Sequence, residues 1–173
     1  MSAPLERIVV DLTYLPDFLL KNTNYKYLLN IADHFSKYLT SYLIKKKEGK
    51  SIADKLNTYF KKFGIPQQLG SDNGTEFVNK NVQKLLKSKD IIWVKGKPYN
   101  PHSQGVVERV HRTIRTGLIC KYLENKSSFD LKLSLNEVVE TYNNCIHRTT
   151  KKNHLKYFYQ KIENYSKRLQ KIH

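Results

Sequence analysis

Three short runs rich in β-branched and aromatic residues open the chain, Ile8–Tyr14, Tyr25–Asp33 and Leu39–Ile44, each bounded by polar breaks. Such runs read as strands, and their close succession predicts an antiparallel meander. The apolar period then changes. Ile52, Leu56, Tyr59, Phe60 and Phe63 recur at helical spacing, with Ser51 in the N-cap place and Gly64 and Pro66 closing the helix. Gln67–Gly70 reads as a short strand, Asn79–Ser88 as a short helix and Ile91–Val94 as another strand. That alternation predicts a right-handed parallel extension of the sheet. A helix is expected from Gly105 to about Tyr122, with Val107, Val110, Ile114 and Leu118 on one face. Glu108, Arg112 and Arg115 lie roughly 100° away at the helical period, with His111 between the two faces. A further helix follows Ser128, striped by Leu131, Leu135, Val138, Val139 and Tyr142. Leu155, Phe158, Tyr159, Ile162, Tyr165 and Leu169 form a last amphipathic pattern, for which packing on the core is the expected outcome.

A chain of 173 residues suits one α/β domain with a single core. Charge changes the picture more than length does. Lys and Arg number 31 against 15 Asp and Glu, a formal net charge of +16. Such an excess points to a polyanionic partner, most simply nucleic acid. No stretch is long and apolar enough to span a bilayer as a helix, and Met1-Ser2-Ala3-Pro4 does not begin a secretory signal, so no membrane partner is expected. Cys120 and Cys145 lack any CxxC partner and are expected as buried thiols in a reducing compartment. His147 and His154 near Cys145 fall short of a four-ligand set, so no zinc is expected in this segment.

Three acids sit in unusual settings. Asp11 interrupts the mostly apolar run Ile8–Tyr14, where an Asp is a poor strand former and costly to bury unless paired or cation-bound. Asp72 opens the turn Ser71-Asp72-Asn73-Gly74, and Glu108 falls at the expected start of the helix after Gly105. Taken singly, each has an ordinary explanation: an edge strand, a turn cap, a favourable helix dipole. Taken together they are different, because sites in open α/β sheets gather at the carboxyl ends of strands. Three converging carboxylates would repel one another, and two hard divalent cations would relieve that repulsion. Such an ion pair supports in-line phosphoryl displacement, with the basic surface supplying a phosphodiester substrate.

The run Pro98-Tyr99-Asn100-Pro101-His102-Ser103-Gln104-Gly105-Val106-Val107-Glu108 closely resembles the loop and helix start of retroviral integrases. Ser71-Asp72-Asn73-Gly74-Thr75-Glu76-Phe77 resembles their second-Asp motif, Asp33-His34-Phe35-Ser36-Lys37-Tyr38 a strand-end motif, and Phe63-Gly64-Ile65-Pro66 the segment before the second Asp. Between Asp72 and Glu108 lie 35 residues, the spacing of the integrase D,D-35-E pattern. Over about Ile8 to Thr150 the chain resembles the catalytic core of retroviral and retrotransposon integrases, within the DDE transposases of ribonuclease H-like fold. Two features depart from the pattern: Lys151–Leu155 lacks the usual Pro, and Phe129 stands where a Trp is common.

The resemblance implies a ribonuclease H-like α/β fold with a five-stranded mixed sheet, three antiparallel strands extended by two parallel ones and flanked by helices. Residues 5–150 would be the catalytic core and 151–173 a basic amphipathic C-terminal helix packed on it. It implies a polynucleotidyl transferase in which Asp11, Asp72 and Glu108 are catalytic and hold two Mg²⁺ or Mn²⁺ ions. Tyr99, Gln104, His111, Arg112 and Arg115 would contact DNA. The implied partners are double-stranded DNA, both element ends and target, and further copies of the chain in a homodimer or higher oligomer. The implied setting is nuclear, or a viral particle if the source is a virus. Two alternatives stay open: a nuclease of the same fold that uses water alone, and an integrase-derived DNA-binding or scaffolding protein without catalysis.

Overall fold

The computed structural model describes residues 3–21, 23–95, 101–146 and 151–169, with the side chains of 101–107, 161 and 164–169 outside the description. The strands are β1 (Arg7–Tyr14), β2 (Tyr27–Asp33), β3 (Leu39–Ile44), β4 (Gln68–Ser71) and β5 (Ile92–Lys95). They form one sheet in the order β3-β2-β1-β4-β5, with β1–β2 and β2–β3 antiparallel and β1–β4 and β4–β5 parallel. The expected five-stranded mixed sheet is therefore the one observed, and β1 is its centre. The helices are α1 (Gly49–Phe63), α2 (Lys80–Ser88), α3 (Pro101–Glu124), α4 (Leu131–Asn144) and α5 (His154–Leu169). No described helix is long and apolar enough to cross a membrane.

Strand alternation sends side chains to two hydrophobic layers. Ile8 and Val10 of β1 join Leu29 and Ile31 of β2 beneath the α1 stripe Ile52, Leu56, Tyr59, Phe60 and Phe63. Phe158 of α5 is fully buried in that layer and stacks on Tyr38 at 4.5 Å between ring centroids. The opposite layer holds Leu28 and Ala32 of β2 against Val110, Ile114 and Leu118 of α3 and Leu131 and Leu135 of α4. α3 thus lies across the face of β1 that carries Val9, Asp11 and Thr13.

Several expectations are corrected. Ser51 lies inside α1, which begins two residues earlier at Gly49, with an extended Glu48 before it and no side-chain cap. α3 begins at Pro101 rather than Gly105, because proline's fixed φ and missing N–H suit the first helical position. Glu108 therefore sits two turns into α3 instead of in its first turn. Cys120 and Cys145 are exposed, not buried, since neither belongs to the buried stripes of α3 and α4. In α5, Tyr159 is exposed while Leu155 and Ile162 pack against the core; the side chains of Tyr165 and Leu169 fall outside the described residues.

Candidate active site

The parallel β1–β4 pair sets the geometry. Arg7 pairs with Gln68, Ile8 with Leu69 and Val9 with Gly70. The pairing stops there; Asp11 lies two residues further along β1, and Asp72 directly follows the last residue of β4. Gly64, at φ +104°, ends α1 and turns the chain toward β4. Asp11, within β1, and Asp72, just past the end of β4, are thus two acids distant in sequence that both follow the paired stretch of two adjacent parallel strands.

Asp11 keeps 30% of its side-chain surface exposed. Its Oδ2 accepts from the Thr13 hydroxyl at 3.4 Å and faces His111 Nδ1 at 3.3 Å. The same Nδ1 also meets the Thr13 hydroxyl. Directly across from Asp11 on β2 is Asn30, fully buried, whose carbonyl accepts from Ser41 while its amide nitrogen has no partner among the described residues. Asp72 is exposed just past β4, and its Oδ1 accepts from Gly74 N–H at 3.0 Å. Its carbonyl accepts from the Ser71 hydroxyl, which in turn accepts from the Trp93 indole, both at 2.9 Å.

Glu108 is exposed on α3, one helical turn before His111, the residue whose ring faces Asp11. Arg112 and Arg115 are exposed further along α3. His111 is part-buried, with its Nδ1 facing Asp11 and the Thr13 hydroxyl. Gln104 lies in α3 with its side chain outside the described residues, and Tyr99 falls outside them altogether, as does the motif at 147–150. Asp33 serves the fold: its oxygens accept from Leu5 N–H, Ser36 N–H and the Ser36 hydroxyl, while burial raises its pKa. The Ser71 and Trp93 contacts behind Asp72 were not singled out from sequence; only Ser71 had a signal, as a member of the Asp72 motif.

Among the described residues, no three His, Cys, Asp or Glu side chains are already grouped to hold a metal ion. The donor chemistry nevertheless fits a hard divalent cation. Asp11, Asp72 and Glu108 offer only carboxylate oxygens, from β1, from the turn after the adjacent β4 and from the helix lying across β1. Asp11 and Asp72 each have one oxygen turned to a neighbouring group in this arrangement.

Comparison with known proteins agrees with this architecture. The family described as Integrase core domain matches residues 1–101, more than half of the chain. The Gag-Pol polyprotein of avian reticuloendotheliosis virus is 36% identical over 115 residues, covering 66% of this chain and 10% of that polyprotein, so the chain spans about a tenth of this relative's length. A chain of the simian T-cell lymphotropic virus intasome in complex with PP2A regulatory subunit B56 gamma superposes with a TM-score of 0.81 at 23% identity, over 91% of this chain and 55% of that one. The HTLV-2 integrase catalytic core domain in complex with magnesium, in a trimeric form, gives 0.74 at 21% identity, over 90% of this chain and 97% of that one. Sheet order, the pairing of β1 with β4 and the family match lead to one assignment: this chain belongs to the integrase core domain family.

Proposed function

We propose that this chain performs DNA integration by metal-dependent phosphoryl transfer, processing the 3′ ends of DNA and joining them to target DNA. The observation that supports the reading is the parallel β1–β4 pairing: Asp11 and Asp72 each follow its last pair, Val9 with Gly70, by two residues. The magnesium in the HTLV-2 core supports the choice of ion, and two Mg²⁺ or Mn²⁺ ions are the reading for this chain. Bound divalent ions would supply charge stabilisation at the attacking and leaving oxygens of the phosphodiester.

The chain's own residues do the remaining work. Asp11, Asp72 and Glu108 hold the ions. His111 and Thr13 fix the direction of the Asp11 carboxylate. Arg112 and Arg115 dock backbone phosphates from the exposed side of α3, and Tyr99 and Gln104 approach the DNA end. No side-chain nucleophile is required, because water or a DNA 3′-hydroxyl attacks. Residues 5–150 are the catalytic core, and 151–173 the basic C-terminal segment that contains α5. Partners are double-stranded DNA and further copies of the chain, acting in the nucleus on chromosomal DNA.

The test is strand transfer or disintegration on a branched oligonucleotide in Mn²⁺. Asp72→Asn is expected to lower the rate about a hundredfold or more, equivalent to about 2.7 kcal/mol of transition-state stabilisation. Joined product from Asp72→Asn at the wild-type rate would refute the reading. Cleavage without joining would point to the nuclease instead.

A further inference from the structure

Glu76 is an acid that the site described above does not use. It is 4% exposed, yet charged residues are rarely buried without strong compensation. One oxygen, Oε1, lies 3.2 Å from Lys47 Nζ, and that lysine side chain is itself 46% exposed. The other, Oε2, is buried with no hydrogen-bond partner among the described residues. A half-solvated lysine offsets only part of the cost of burying this carboxylate. Packing alone does not require the charge, since a glutamine would fill the same volume.

What the carboxylate touches is Gly74. A methyl group at Gly74 would lie 2.6–2.8 Å from the carboxylate atoms of Glu76, so the acid rests directly on the glycine backbone. Gly74 is otherwise fixed by its carbonyl, which accepts from Phe77 N–H at 2.9 Å and Val78 N–H at 3.0 Å, with Phe77 fully buried. Its remaining backbone group, the N–H, donates to Asp72 Oδ1. The Glu76 carbonyl accepts from the Asn79 side chain, which caps α2 through Asn81 and Val82 N–H. Asn79 in turn fills the space that a side chain at Gly49 would need, just after Lys47. The head of α1, the turn from Asp72 and the head of α2 are thus clamped together around Glu76.

We propose that Glu76, held by Lys47, is a positioning residue for Asp72: it presses Gly74 into the place where its N–H orients the Asp72 carboxylate, and so sets the affinity of that carboxylate for a divalent cation. The inference rests on the metal-site reading of Asp72. Residues behind metal ligands of this kind typically govern metal affinity by about 10–100-fold.

The test is a Mn²⁺ titration followed by melting temperature, with strand transfer at limiting and saturating Mn²⁺ as a second readout. Glu76→Gln and Lys47→Met are expected to raise the half-saturating Mn²⁺ concentration about tenfold, and Lys47→Arg to restore it. The rate at saturating Mn²⁺ should move far less than the rate at limiting Mn²⁺. The metal-free melting temperature reports any purely structural cost separately. Should Glu76→Gln fail to fold, Lys47→Met reads the same quantity from a side chain partly in solvent. Unchanged Mn²⁺ midpoints in the variants, beside a normal wild-type shift, overturn the inference alone. Absence of any Mn²⁺ shift in the wild-type chain overturns the metal-site reading and the inference with it.

Discussion

Asp33 and Asp11 show how one sheet uses the same side chain in two ways. Asp33 is saturated by three donors and locks the β2–β3 turn, whereas Asp11, among the described residues, meets Thr13 and His111 and stays open to solvent. Beside Asp33, burial pushes the His34 imidazole down to about 4, helped by the charges of Lys37 and Arg7. The folded chain thus keeps His34 neutral where the unfolded chain protonates near 6.5. Stability from this group is fully present above about pH 6.5 and is lost as pH falls from 6.5 toward 4, because the unfolded state then binds the extra proton. Urea unfolding should therefore show a loss of about 1 kcal/mol between pH 6.5 and 5, after allowance for solvent screening of the half-buried ring. His34→Gln should flatten that slope. The raised carboxyl of Asp33 acts in the opposite sense, above the normal carboxylate range, by taking up its proton sooner in the folded state.

At the scale of elements, the clearest constraint is the approach of α3 to α4. A methyl at Gly117 would lie 2.7 Å from Val138 Cγ1. Gly→Ala inside a helix normally stabilises by about 1 kcal/mol. Here crowding should reverse the sign, so Gly117→Ala is expected to cost about 1–2 kcal/mol and to be partly rescued by Val138→Ala in a double-mutant cycle. α5 is anchored differently. Phe158 is fully buried against Tyr38 and Phe63, and Phe158→Ala should cost about 3–5 kcal/mol by denaturant titration. Both helices were legible as elements. Ile114, Leu118, Leu135 and Phe158 kept their helical period because each must face a core. Helix starts were less legible. Ser51 looked like a cap, but docking of Gly49 against Asn79 starts α1 earlier, and Pro101 starts α3 ahead of Gly105. Tertiary contact decides such ends, and local sequence does not record it.

The whole molecule carries +16, and that charge bears on DNA more than on the fold. If roughly six phosphates are neutralised, affinity for a duplex should fall about a thousandfold between 50 and 200 mM salt. Fluorescence anisotropy with a labelled oligonucleotide would read this, and a flat response would argue against phosphate docking. At this scale Asp11 stood out in sequence because it interrupts an apolar strand, and Asp72 and Glu108 because of the motifs around them and the 35 residues between them. The contacts of Trp93 with Ser71 and of Lys47 with Glu76 did not stand out, since they exist only across strands and between helix heads. The central place of β1 also bears on how the chain is made. β2 reaches one of its flanks early, but β4 is synthesised only after β3 and α1. Until Gln68–Ser71 emerges, the other flank of β1 presents unpaired amides and carbonyls next to Ile8, Val9 and Val10. Chains cut short between Ile44 and Gln68 would therefore be drawn to pair through that bare flank, a route that the arrival of Gln68–Ser71 closes.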